Sequence, residues 1–215
     1  MVNDSRHDKS MQENYISRPY TPIELDSDQL TFDLLVKFEV NGQMSKYLRS
    51  LTINCETEWK GSYGDFIWSP NPAKFKYLIC ICQGVAIAPM YALVKTILSN
   101  ENDETIVHLL ACFKDHDSYF LRDELVECRR FWNFKSTVFF SQSFSGICSK
   151  QNLRFNEDIR NNRLTVEQLR SFYIERRTTS IFTLFCGTKK LENLVETVLD
   201  QLNDKCIQEN YFVLK

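Results

Sequence analysis

Downstream of Phe75 the chain switches repeatedly between unbroken apolar runs and apolar stripes at helical spacing. Tyr77 to Cys82 (YLICIC) is a run, which predicts a strand covered on both faces. After Gln83-Gly84-Val85-Ala86-Ile87-Ala88-Pro89, the apolar positions Met90, Leu93, Val94, Ile97 and Leu98 fall on one helical face. Asn100 to Thr105 is a polar turn, and Ile106 to Phe113 (IVHLLACF) predicts a second buried strand. A stripe at Leu121, Leu125 and Cys128 predicts a helix with Asp117 or Ser118 as its cap. Thr137 to Ser141 reads as a third strand, Thr165 to Tyr173 as a short helix capped by Thr165, and Ile181 to Cys186 as a fourth strand that Gly187 ends. Leu191, Leu194, Val195, Val198, Leu199 and Leu202 give the cleanest amphipathic helix, and Tyr211 to Leu214 a fifth strand.

Strand–helix alternation predicts a parallel sheet with helices on both faces. Such sheets take ligands at the carboxyl ends of their strands, where the strand order reverses. The loops after Cys82, Phe113 and Cys186 are therefore the candidate binding loops. Upstream the pattern differs. Leu30 to Phe38 alternates like a strand, Met44 to Leu51 reads as a short helix after Gly42, and Cys55 to Trp59 as a further strand, before Gly61, Gly64, Pro70 and Pro72 punctuate the chain. So few strands cannot close a barrel and leave sheet edges unpaired.

Composition narrows the class. A chain of 215 residues, 43% apolar and 25% charged, holds one large globular domain or two small ones. A net charge of −2 gives no electrostatic case for nucleic acid as a partner. No apolar run approaches the roughly 20 residues of a membrane span, so no transmembrane segment is expected. Polar Met1 to Asn14 reads as neither signal peptide nor anchor. The 8 cysteines include no CxxC pair, and several sit in apolar runs, which predicts reduced thiols and a cytoplasmic location. The 3 histidines, His7, His108 and His116, are scattered, and no metal site is expected.

Four short segments carry candidate chemistry. Arg18-Pro19-Tyr20-Thr21-Pro22 offers a guanidinium for a phosphate, a ring for a flat cofactor and a hydroxyl; the bland alternative is a proline-stiffened surface turn. Gly42-Gln43-Met44-Ser45 opens a helix with backbone N–H groups suited to a diphosphate, or is an ordinary cap. Gly84-Val85-Ala86-Ile87-Ala88-Pro89 joins a buried strand to a helix through small residues, as a nucleotide loop or a plain tight turn. Cys186-Gly187 ends a strand, either beside a ligand or as a buried cysteine with a strand terminator.

In this order the four segments resemble the NADH–cytochrome b5 reductase family, within the ferredoxin reductase-like flavoproteins. Gly61-Ser62-Tyr63-Gly64-Asp65-Phe66 is similar to that family's Gly-Pro-x-Gly turn, with Ser62 for the proline. Asn100 to Thr105, Leu109 to Phe113 and Phe131-Trp132-Asn133 resemble its cytochrome b5 reductase-like branch. The resemblance implies an incomplete antiparallel β-barrel FAD-binding domain over 1–72 and an α/β nicotinamide-binding domain with a parallel sheet over 73–215. It implies that Arg18 binds the FAD phosphate, Tyr20 lies against the isoalloxazine, and Thr21, between Pro19 and Pro22, stands near the flavin N5. Val36 and Lys37 would line the flavin and the approach of the nicotinamide nucleotide, and Gly42, Met44 and Ser45 would hold the pyrophosphate. NADH would be received from Gly84 to Met90, through Val85, Ala88 and Pro89, with Cys186 and Gly187 at the nicotinamide. Thr21 and Cys186 are the implied catalytic residues.

The implied reaction is hydride transfer from NADH to FAD, with electrons passed on to a protein acceptor such as cytochrome b5. A longer form is expected to work at a membrane surface. Gly84-Val85-Ala86 replaces the family's Gly-Thr-Gly, Thr188-Lys189-Lys190 replaces prolines, and 17 residues precede Arg18 where the family has several strands. These departures leave an alternative: a truncated, catalytically impaired relative that acts as a weak nucleotide- or protein-binding module.

Overall fold

A computed structural model describes residues 16–26, 28–61, 63–71, 75–142, 153–176, 180–202 and 211–214. Among these, the residues up to Tyr20 together with Val36–Lys60 form one compact unit, and Thr21–Leu35 with the residues from Gly61 onward form the other.

The larger unit is built on β3 (Tyr77–Gln83), β4 (Ile106–Phe113), β5 (Phe134–Phe140), β6 (Asp158–Arg160), β7 (Ile181–Cys186) and β8 (Tyr211–Val213). They form a parallel sheet in the order β6-β5-β4-β3-β7-β8. Between them run α2 (Ile87–Leu98), α3 (Arg122–Cys128), α4 (Val166–Ile174) and α5 (Lys189–Leu202). Successive residues of β3 serve opposite faces. Leu78, Cys80 and Cys82 pack with Ile87, Met90, Val94, Leu125 and Cys128 of α2 and α3. Ile79 and Ile81 pack with Leu169, Phe172, Val195, Val198 and Leu199 of α4 and α5. With both faces covered, a strand needs apolar residues at every position, which is why YLICIC shows no alternation. Thr165 caps α4 as expected: its hydroxyl accepts from Gln168 N–H while the Gln168 side chain accepts from Thr165 N–H at 3.1 Å.

Polar ties fix how the strands enter the sheet. Trp68 Nε1–H donates to Asp103 Oδ2 at 2.9 Å, Thr105 N–H donates to Asp103 Oδ1 at 3.0 Å, and Asn133 Nδ2 donates to the Thr105 carbonyl at 3.1 Å. Ahead of β6, Glu157 receives Arg122 Nε and Nη2 at 2.8 and 2.7 Å and the Arg154 N–H at 2.8 Å, with Arg129 Nη1 at 3.7 Å. Burial pushes the Glu157 carboxyl up, but these hydrogen bonds and arginine charges outweigh it and hold it below the usual carboxylate range.

His108 of β4 is held on both ring nitrogens. Arg176 Nη2 donates to Nδ1 at 3.0 Å, which leaves Nε2–H to donate to Thr137 Oγ1 at 3.0 Å; Thr137 in turn donates to Asp158 Oδ2 at 2.9 Å. Burial first, then the Arg176 charge, lowers the His108 pKa to about 3.

The same unit contains a hairpin of β1 (Pro22–Asp26) and β2 (Thr31–Leu34), paired antiparallel. Ile23 and Leu35 pack against the core on the α2 side, and Lys95 Nζ donates to Glu24 Oε1 at 2.8 Å. The smaller unit contains α1 (Gln43–Ser50), with Ser45 buried.

Several expectations are corrected. The strand expected over Leu30–Phe38 is confined to Thr31–Leu34, since Leu30 adopts φ 54° in the turn before it. Cys55–Trp59 is not a strand: Asn54 has φ 69° and Cys55 N–H closes a turn on the Thr52 carbonyl. Neither Asp117 nor Ser118 caps α3. Asp115 caps a separate 3-10 turn at His116–Ser118, and Leu121, at φ 57°, opens α3. Two short strands were not anticipated: β1, which begins on a proline, and the three-residue β6. Ser62, Pro72, Cys148 and Cys206 lie outside the described residues.

Candidate functional site

From β3 the chain winds through β4, β5 and β6 on one side, then returns to β7 and β8 on the other. The order reverses between β3 and β7, and in an open α/β sheet that reversal opens a crevice beyond the carboxyl ends of the two strands. The register pairs Cys82 with Cys186, so Gln83-Gly84 and Gly187-Thr188 lead into their loops side by side. Two of the four expected segments, far apart in sequence, are thus brought to one place.

Gly84 has φ +60° and opens the 3-10 turn Gly84–Ala86 that feeds α2; among the described residues no atom lies within 4 Å of where a Cβ would stand. The turn therefore reverses the chain while leaving space above it. Among the described residues no side chain caps the amino end of α2, so the helix dipole there is open to a negative group. Val85 is exposed and Pro89 half-buried, whereas the Ala88 and Met90 side chains turn into the core. These last two can meet a ligand through their backbone alone.

Gly187 is fixed by packing, since a Cβ there would stand 2.7 Å from Leu191 Cδ2 and 3.1 Å from Gln83 Cβ. Cys186 is half-buried, and burial first, then the Glu192 carboxylate, pushes its thiol up. It is a neutral thiol at neutral pH, suited to packing or weak hydrogen bonding rather than nucleophilic attack. In the loop after β4, Ser118 N–H donates to Asp115 Oδ1 at 3.0 Å and Asp115 N–H donates to Ser118 Oγ at 3.1 Å.

The sequence reading passed over Gln83. Thr188 Oγ1–H donates to Gln83 Oε1 at 2.7 Å, which joins the two loops of the crevice. The available signal was a polar residue closing an otherwise apolar run.

In the smaller unit, the α1 amino end follows Gly42 with no side-chain cap. Glu39 N–H donates to Ser45 Oγ at 2.9 Å, so the Ser45 hydroxyl hydrogen stays available to an acceptor. Met44 and Val36 are half-buried, and Lys37 is exposed beside Glu39. Arg18 is exposed, its Nη1 donating to the Ser17 carbonyl at 2.7 Å; Pro19 is exposed, and Tyr20 meets Trp59 edge-on at 6.2 Å. In the larger unit, Thr21 is half-buried and Pro22 begins β1. An uncapped helix end, an available hydroxyl and an exposed guanidinium fit a diphosphate in the smaller unit. The open turn at Gly84 fits a nucleotide in the larger one.

The sequence profile of the oxidoreductase FAD-binding domain matches residues 6–68, and that of the oxidoreductase NAD-binding domain matches residues 80–197. A Homo sapiens protein named NADH-cytochrome b5 reductase-like is 38% identical over 130 residues, covering 60% of this chain and 41% of that protein. NADH-cytochrome b5 reductase 1 of Cryptococcus neoformans is 38% identical over 112 residues, covering 52% of this chain and 37% of that protein. The matched region thus spans about two fifths of the length of these curated relatives. The cytochrome b5 reductase domain of Ulva prolifera nitrate reductase superposes with TM-score 0.71 over 92% of this chain and 78% of that one. At 22% identity it shows a shared fold.

Proposed function

Because this chain belongs to the oxidoreductase NAD-binding domain family and is similar to proteins named NADH-cytochrome b5 reductase, we propose that it passes a hydride from NADH to FAD and hands electrons on to a protein acceptor such as cytochrome b5. FAD and NADH are the cofactors of the two matched domains. Bound FAD supplies hydride acceptance and release of electrons to an acceptor. The chain's own residues bind and orient.

The proposed division assigns 1–72 to FAD and 73–215 to NADH. Arg18 pairs with a phosphate, Tyr20 and Val36 give apolar surface to the flavin, and Thr21 places a hydroxyl near its reacting edge. Gly42, Met44 and Ser45 donate to the pyrophosphate, and Lys37 with Val36 lines the flavin and the approach of the nicotinamide nucleotide. The NADH diphosphate lies at the α2 amino end over Gly84, Val85, Ala88, Pro89 and Met90, while Cys186 and Gly187 bound the nicotinamide and keep water from it. Among the described residues no helix is long and apolar enough to cross a membrane. A cytoplasmic location, at a membrane surface in a longer form, belongs to the same proposal.

One observation carries the reading: the β3/β7 reversal gathers the Gly84 turn and Cys186-Gly187, which are about a hundred residues apart in sequence. NADH-dependent reduction of ferricyanide by the purified chain supplied with FAD tests it. Turnover that needs both cofactors and falls in Arg18→Ala supports the reading, and absence of turnover with FAD bound removes it. A second reading, an impaired relative that holds nucleotide weakly or binds a protein, is favoured by the exposed Val85 and by the side-chain link between the two crevice loops.

A further inference from the structure

The register that pairs Cys82 with Cys186 sets Gln83 beside Gly187 at the mouth of the crevice. Gln83 Cβ lies beside the end of β7, where a Gly187 Cβ would stand 3.1 Å from it. Its amide tip reaches one residue further, where Oε1 accepts Thr188 Oγ1–H at 2.7 Å. The side chain therefore reaches from β3 to the β7–α5 loop. By contrast, among the described residues the turn at Gly84 has no atom within 4 Å of its missing Cβ, and the α2 amino end has no side-chain cap. The two halves of the crevice are thus unequally open: free over Gly84 and bridged between β3 and β7.

We propose that the Gln83–Thr188 hydrogen bond is a strap across the crevice that a nicotinamide ring must displace, so that Gln83 sets how much of the dinucleotide this chain holds. The inference rests on the nucleotide site proposed above. The adenosine diphosphate portion binds over Gly84 and the α2 amino end without disturbing the strap. The nicotinamide ring enters between the ends of β3 and β7 only when Gln83 gives up Thr188 and swings aside. Both partners are exposed, so the strap is displaceable and acts as a selective cost on one end of the ligand. Gln83 and Thr188 are in this sense specificity residues: they discriminate between ligands that share an ADP-ribosyl group and differ beyond it.

Calorimetric titration of the purified chain with ADP-ribose and with NADH tests the strap, in the native sequence and in Gln83→Gly and Thr188→Val. The native chain is expected to bind NADH no more tightly than ADP-ribose. In Gln83→Gly the preference for NADH over ADP-ribose should rise roughly tenfold, as loss of one competing hydrogen bond implies, while ADP-ribose affinity stays within about twofold. Thr188→Val removes the donor but keeps the Gln83 stem, and a smaller rise in the same direction is expected. This exposed position also guards against a Gln83→Gly chain that fails to fold. An unchanged NADH preference in a folded Gln83→Gly or Thr188→Val chain overturns the strap and leaves the nucleotide site standing. Absence of ADP-ribose binding in the native chain overturns both.

Discussion

At the amino edge of the parallel sheet Asp103, Thr105 and Asn133 are buried and tied by hydrogen bonds that include Trp68, whereas at the carboxyl edge Gln83, Val85 and Thr188 stand exposed around two loops. Both edges have the same strands behind them, so the contrast does not come from the sheet. It comes from how each edge treats its polar groups. Buried and paired, they fix where strands begin. Exposed beside an uncapped helix end, they leave donors and space for something not in the chain. Stability is concentrated at one edge, and the proposed binding site lies at the other.

The largest effect expected is from Glu157→Ala ahead of β6, because two arginine side chains would lose the carboxylate between them. Arg129 is the more exposed to this loss, since its Nη1 is buried with no hydrogen-bond partner among the described residues. Urea denaturation should show a loss of about 3–5 kcal/mol. Asp103→Ala at the amino edge removes two hydrogen bonds at a buried position and should cost about 2 kcal/mol. If the two edges divide stability from binding, the folded Asp103→Ala chain keeps the ADP-ribose affinity of the native chain. A matching loss of affinity would break the division.

Acid sharpens the comparison from within the core. His108 has its pKa lowered to about 3, so between that value and the ordinary value of about 6.5 the unfolded chain binds the extra proton. Stability should fall as pH falls through this window, by up to about 1.4 kcal/mol per pH unit. Urea midpoints at pH 7, 6 and 5 measure it. His108→Gln, which cannot take up the proton, should flatten the slope between pH 6.5 and 5, where carboxylates still contribute little. The smallest stability effect lies at the carboxyl edge. Gly84→Ala forces a side chain onto φ +60° in open space and should cost about 1 kcal/mol, while weakening ADP-ribose binding by more than that loss explains.

The same contrast governs how much could be read from sequence. β4 and β7 were anticipated to the residue, because strands buried on both faces are almost wholly apolar, with His108 and Thr183 hydrogen-bonded exceptions, and turn chemistry ends them. The α4 cap was readable for a similar reason, since Thr165 and Gln168 act within one turn. Where context decides, the sequence misled. Cys55–Trp59 has strand-forming residues but a left-handed Asn54 ahead of it, and β6 is defined by pairing with β5 rather than by composition. The motif residues Gly84, Cys186 and Gly187 stand out in the sequence as candidates, yet their meeting depends on a strand order that no local pattern encodes. Gln83 escaped because an exposed polar residue at a strand end signals nothing until its Thr188 partner is seen.

The most direct test of the account is the visible absorption spectrum of the purified chain with FAD, recorded anaerobically before and after NADH. The account predicts flavin bands that stay with the protein through gel filtration and bleach on adding NADH. A chain that retains no flavin, or retains flavin that NADH leaves oxidised, would contradict it.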